Sequence, residues 1–255
     1  MMEWAEIFSE GRTIAFILLF TRFTALFMAV PIFSHANIPI SVKAAMSFFF
    51  TVFFFGALPP LNIPTDALSL TVAILGEMLF GLAVGIVLQL AYHVITFAGG
   101  QISFMMGFSL ASAIDPQSGV SMPIVSQFLS LLALMILLVF DLHHWILLYA
   151  SASISSVPLG GFMMTPSLFK YIMHAMTNMF VVGFMIAFPI TALSMLADVI
   201  FGMLMKTMPQ FNLLVIGMPI KIAIAFVVLM ATLAGTLMIV TSQTQDAYNF
   251  LEKLF

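Results

Sequence analysis

Apolar residues fill this chain in long stretches, and Pro, Gly, Asn and charged residues interrupt them together at only a few places. A bilayer core of about 30 Å is crossed by about 20 helical residues, which gives a ruler for the pieces between interruptions. Residues 13–30 and 42–58 are near span length, and Pro31, His35, Asn37 and Pro39 lie between them, so the pattern predicts a helical hairpin. Pro59, Pro60, Asn62, Pro64 and Asp66 form the clearest break, with Asp66 placed to cap a new helix from Ala67. That helix reads on to Ala98, about 32 residues or roughly 48 Å, too long for one upright span.

Within it Glu77, Gly81, Gly85, Gln89 and His93 recur every four residues. Such a ladder precesses about 40° per step around a helix. It should face protein, since Gly admits a neighbouring backbone while Glu, Gln and His need polar partners away from water. Residues 124–140 and 145–157 are each short of a bilayer and are joined only by Asp141-Leu142-His143-His144. They read as a sheltered half-depth hairpin, the other reading being one long helix with a buried polar collar. A run at 174–205 contains Pro189, which should kink or divide it. Residues 221–240 form a last span and 241–255 a polar tail. Hydropathy alone counts six or seven spans, and the awkward lengths predict oblique, broken helices completed within an assembly.

Composition sharpens this reading. Of the 255 residues 63% are hydrophobic and 7% charged, where a soluble domain carries roughly 45–50% and 25%. A bilayer or partner chains must cover that apolar area. A net charge of −3 with no basic run excludes a polyanion surface, hence nucleic acid. With no cysteine there is no disulfide and no thiolate metal site. Glu3, Glu6 and Glu10 precede the first cation, Arg12, the reverse of a cleaved leader.

Residues 98–123 hold four Gly, five Ser and a single charge, Asp115. A loop of that length is uncommon unless functional. Phe104, Met105, Met106 and Phe108 cluster around Gly107, an apolar tip on Gly/Ser arms. Methionine seals irregular openings and an apolar constriction blocks ions by dewetting, so one reading is a movable pore plug and the other a permanently packed re-entrant turn. Gly107-Phe108-Ser109-Leu110-Ala111 superficially matches a nucleophile elbow, but it lacks the strand-turn-helix setting and a placed base. His143 and His144 beside Asp141 read as a polar turn rather than a metal site, because adjacent helical residues point about 100° apart. Glu77, Asp115 and Asp198 are either relay carboxylates or buried structural partners.

Several of these residues together resemble the FliR family of flagellar export-gate proteins, called SctT in virulence secretion. The features are Arg22 with Pro31; Glu77 with Gly81 and Gly85; Gly99-Gly100; Asp115-Pro116; Asp141-Leu142-His143-His144; and MPQFNLLVIGMPIK at 208–221, with Pro209, Asn212, Gly217, Pro219 and Lys221. The resemblance implies an all-α polytopic protein of long broken helical hairpins, a FliP-like part fused to a FliQ-like hairpin. It would be one domain, 1–255, with a hairpin at 1–66, long helices and the loop at 67–205, and a last helix and tail at 206–255. It also implies no enzyme and no cofactor or metal. The expected setting is a closed helical ring with FliP and FliQ in the bacterial inner membrane, within the basal body and raised toward the periplasm. FlhB would wrap its entrance, FlhA would lie in the same apparatus, and unfolded export substrates would pass through. Phe104, Met105, Met106, Gly107, Phe108, Asp115 and Pro116 would form the plug, and serine at both Met105 and Met106 should let ions leak. No Asn-Pro-Thr-His self-cleavage motif occurs, so the chain is not FlhB-like.

Overall fold

A computed structural model describes residues 10–35, 37–56, 58, 66–108, 123–208 and 213–254. Every regular element among them is a helix: α1 (Glu10–Ala29), α2 (Pro31–Ser34), α3 (Ile40–Phe55), α4 (Ala67–Met106), α5 (Ile124–Val139), α6 (Leu142–Ser156), α7 (Pro166–Thr207), a π-helical turn (Leu213–Gly217) and α8 (Met218–Leu254). Four of them are long and apolar enough to cross a membrane, and α5 with α6 adds a fifth if that broken pair, bent by 62°, is one span. The protein is an all-α polytopic membrane protein.

Three differences account for the lower span count. The 16 residues of α3 fall short of a bilayer. Residues 124–156 turn by 62° at their break, far from the reversal a hairpin needs. α7 continues through Pro189 instead of dividing there. It also starts earlier than read, at Pro166, whose missing N–H is harmless in a first turn. Thr165 Oγ1 caps it by accepting from the Leu168 N–H at 3.3 Å.

Two helix ends also lie beyond their predicted places. α4 reaches Met106, so the first nine residues of the expected loop are helical. α8 reaches Leu254, so the expected polar tail is helix.

The chain divides into two compact units, each discontinuous in sequence. The first comprises residues up to Gln89, Leu137–Met173 and residues from Gln245. Here α3 returns along α1, pairing Phe16 with Phe55 and Phe48, and Phe23 and Phe27 with Phe50. Ser47 and Thr51 are buried on the inner face of α3, and each hydroxyl donates to the carbonyl four residues back, at 2.9 and 2.6 Å. That bond removes the cost of an unpaired hydroxyl away from water. The opposite face of α3 exposes Phe49, Val52 and Phe53.

The second unit comprises Leu90–Ile136 and His174–Thr244. Val94 and Ala98 of α4 pack with Ile186 of α7. Small polar residues join α4 to α5: Ser126 Oγ donates to the Thr96 carbonyl at 2.8 Å, and the Tyr92 hydroxyl to the Ser130 carbonyl at 3.3 Å. Asn178 of α7 donates to Gln243 of α8 at 2.5 Å.

Candidate functional site

The first unit is organised around one charge. Arg22, on α1, is wholly buried beside Glu77, on α4. The guanidinium grips both carboxylate oxygens, Nε to Oε2 at 2.5 Å and Nη2 to Oε1 at 3.0 Å. Its other donors reach the end of α6: Nη1 gives to the Ser153 carbonyl at 3.0 Å and Nη2 to the Val157 carbonyl at 3.1 Å. The Phe80 ring centroid lies 4.8 Å from the guanidinium carbon. Glu77 Oε1 also accepts the Gly160 N–H at 2.6 Å. Both carboxylate oxygens are therefore engaged, which suits a clamp better than a proton relay. The clamp ties α1, α4, α6 and the 157–160 turn at one point, and bidentate geometry fixes its orientation.

Below Glu77 the ladder continues onto α1. A side chain at Gly81 would collide with the Leu26 backbone, its Cβ 2.6 Å from that nitrogen, and one at Gly85 would strike Ala29. Glycine permits this backbone approach. Gln89 Nε2 donates to the Ala29 carbonyl at 3.1 Å and to Ser34 Oγ at 2.7 Å. His93 is exposed, with its ring against Tyr92. Four steps of about 40° turn it roughly 160° from Glu77, which explains its departure from the stripe.

The plug candidates lie at the end of α4. Phe104 is exposed, Met105 half-buried and Met106 fully buried, all three in the last turn rather than on a loop tip. Gly107 ends the helix with φ +85°, its N–H donating to the Phe104 carbonyl at 3.0 Å. Asp115 and Pro116 lie outside the described residues, as do Ser109, Pro209 and Asn212. Of the 208–221 signature, Gly217 closes the π-helical turn and Pro219 sits in the first turn of α8.

Lys221 is buried on α8 and gives two hydrogen bonds to Asp198 of α7, at 2.8 and 2.7 Å, while the Asp198 side chain is half-exposed. Sequence reasoning named all four charges without pairing them. Glu77 is the only acid in α4, and Asp198 the only one in α7. Lone opposite charges in apolar helices are the signal that could have paired them.

Asp141 has φ +56° and closes the break before α6, its carbonyl accepting from the His144 and Trp145 N–H groups at 3.0 and 3.1 Å. One ligand atom each from Asp141, His143 and His144 lies within 4.8 Å of the others. The separation expected of adjacent histidines is thus not found. The left-handed aspartate and the imidazoles, tilted by 38° with 4.2 Å between centroids, bring them together. The exposed Asp141 carboxylate instead meets His144 Nδ1 at 3.2 Å. The group sits at a helix N-terminus, whose partial positive charge disfavours a cation.

Comparison with known proteins decides the family. Residues 13–247 match the family described as bacterial export proteins, family 1. The chain belongs to this family. Relatives named flagellar biosynthetic protein FliR include one from Bacillus subtilis (strain 168), 33% identical over 89% of this chain and 88% of the relative. The Escherichia coli (strain K12) protein of that name is 29% identical over 83% and 81%. The Aquifex aeolicus (strain VF5) protein is 23% identical over 97% and 96%. Family membership thus spans both structural units and the clamp, ladder and α8 regions described above.

Proposed function

We propose that this chain is a structural and gating subunit of a flagellar protein-export gate in the bacterial inner membrane. The observation that carries the reading is the match to bacterial export proteins along residues 13–247, joined to relatives named for flagellar biosynthesis. Its exposed apolar helices support a role inside an assembly. Val227, Met230 and Met238 of α8 and Phe184, Met185 and Phe188 of α7 all stand open in the isolated chain, and surfaces of that kind are covered by lipid or partner subunits.

In this reading the chain completes a ring with FliP and FliQ, FlhB binds the entrance, and FlhA works in the same apparatus. The segment following α4 closes the channel at rest. Unfolded flagellar subunits displace it, and the energy comes from outside the ring. Phe104 and Met105 mark the base of the closure, an apolar barrier that ions do not wet. Met106 is too buried to serve as a seal and is better left intact in a test.

A tagged chain should co-purify with FliP-type and FliQ-type proteins. Recovery as a lone subunit that carries a small solute would overturn the gate reading in favour of a transporter. In assembled complexes, Phe104→Ser with Met105→Ser should raise ion conductance without loss of subunits. Unchanged conductance would remove the closure assignment.

A further inference from the structure

Glu77 and Asp198 are each the single acid of a long apolar helix, and each opens the same five-residue pattern of acid, two apolar residues, Phe and Gly. In α4 it is Glu77 to Gly81, in α7 Asp198 to Gly202. The first copy is filled. Gly81 admits the α1 backbone at Ala25 and Leu26, and one turn back on α1 Arg22 delivers its guanidinium to Glu77. The second copy stands open. Gly202 is exposed, and a Cβ there would meet nothing within 4 Å. The Asp198 side chain is 54% exposed although Lys221 already holds it from within the unit.

The surface around Asp198 is apolar: Met195, Leu196, Val199, Ile200 and Met203 are all exposed on α7. Hydrocarbon offers a carboxylate no donor. Lys206, the next charge on α7, is eight residues away, about 12 Å along the axis. The carboxylate has room for a second donor beside Lys221, since Glu77 Oε1 accepts from both Arg22 and the Gly160 N–H.

We propose that the stretch from Asp198 to Gly202 is a docking seat for a membrane helix of a neighbouring subunit, which crosses α7 at Gly202 and brings an arginine or lysine to the open side of Asp198. This rests on the export-gate reading above. Asp198 then bridges Lys221 and the incoming cation. Its side chain is one methylene shorter than that of Glu77, so the partner must supply the reach, which a long basic side chain does. Glycine at 202 sets the approach, as Gly81 does for α1.

Gly202→Leu tests the seat without touching the ion pair, because it fills open space and favours the helix. The isolated variant chain should keep wild-type abundance and thermal midpoint. Its recovery with FliP-type and FliQ-type proteins should fall about tenfold, the scale of one charge-assisted hydrogen bond lost across an interface. In wild-type background, p-benzoylphenylalanine at Met195, one turn before Asp198, should crosslink under ultraviolet light to a partner-subunit peptide with Arg or Lys within a turn of the adduct. Undiminished recovery of Gly202→Leu overturns the proposal, as do adducts that reach only lipid or a peptide without such a basic residue. Loss of the variant chain even in isolation also overturns it, by assigning the glycine to the chain's own fold. If the wild-type chain assembles and Gly202→Leu assembles equally well, only the seat fails. If the wild-type chain is recovered alone, the gate reading falls and the seat with it.

Discussion

Arg22 and Glu77 hold each other where neither has water as an alternative partner, so the loss of one leaves the other as a bare charge. Breaking such a pair costs about 3–5 kcal/mol, whereas replacing both members by apolar residues of similar volume is often nearly neutral. Glu77→Ala should therefore deplete the protein from membranes, read by quantitative immunoblot, and Arg22→Met combined with Glu77→Met should recover much of the loss. Equal depletion in the double variant would mean that the carbonyl contacts at Ser153 and Val157, not the ion pair, dominate. Arg22→Lys should not rescue, because an ammonium lacks the planar fork that reaches the carboxylate and both carbonyls together. The participants were visible in the sequence as isolated charges in apolar runs. Their partnership was not, because it joins positions 55 residues apart.

At the scale of elements, α1 and α4 approach closely because Gly81 and Gly85 present no side chain. Gly85→Leu should separate the two helices, strand the Gln89 amide from the Ala29 carbonyl, and lower the thermal midpoint of the purified complex. The equivalent change at Gly100, where an added Cβ would meet nothing within 4 Å, should leave that midpoint within a degree or two. Equal sensitivity at both sites would show that helix propensity, not backbone contact, sets the requirement. Most helices were legible from the spacing of apolar runs and prolines, but two ends were not. Gly99-Gly100 read as a breaker, yet Ala98, Ile102 and Met106 keep a buried row at four-residue spacing straight through it. Residues 241–255 read as a tail because of their polarity, yet Val240, Thr244, Tyr248 and Leu251 continue the buried row of α8. Periodicity outweighed composition in both places.

For the whole molecule, the exposed Phe, Met and Leu side chains define what assembly has to cover. A single cysteine at Met238, which is 73% exposed, should react readily with a maleimide in the solubilised lone chain and be shielded once the complex forms. Equal labelling in both states would make that face a lipid surface and take α8 out of the subunit contacts. The sequence announced a membrane protein through its composition, and the family through its signature stretches. It could not announce how the segments group, because each compact unit gathers stretches far apart along the chain.

The guanidinium clamp also sets an order of events during synthesis. The ribosome delivers Arg22 long before Val157, which follows 135 positions later. Throughout that interval the first helix carries a cation into hydrocarbon, a burden of about 2.5–3.5 kcal/mol at mid-depth on insertion scales. The nascent chain should accordingly keep α1 at the insertase or in the interface until α4 arrives with its carboxylate, and a truncated product ending before α6 is the species a membrane protease would find half-closed.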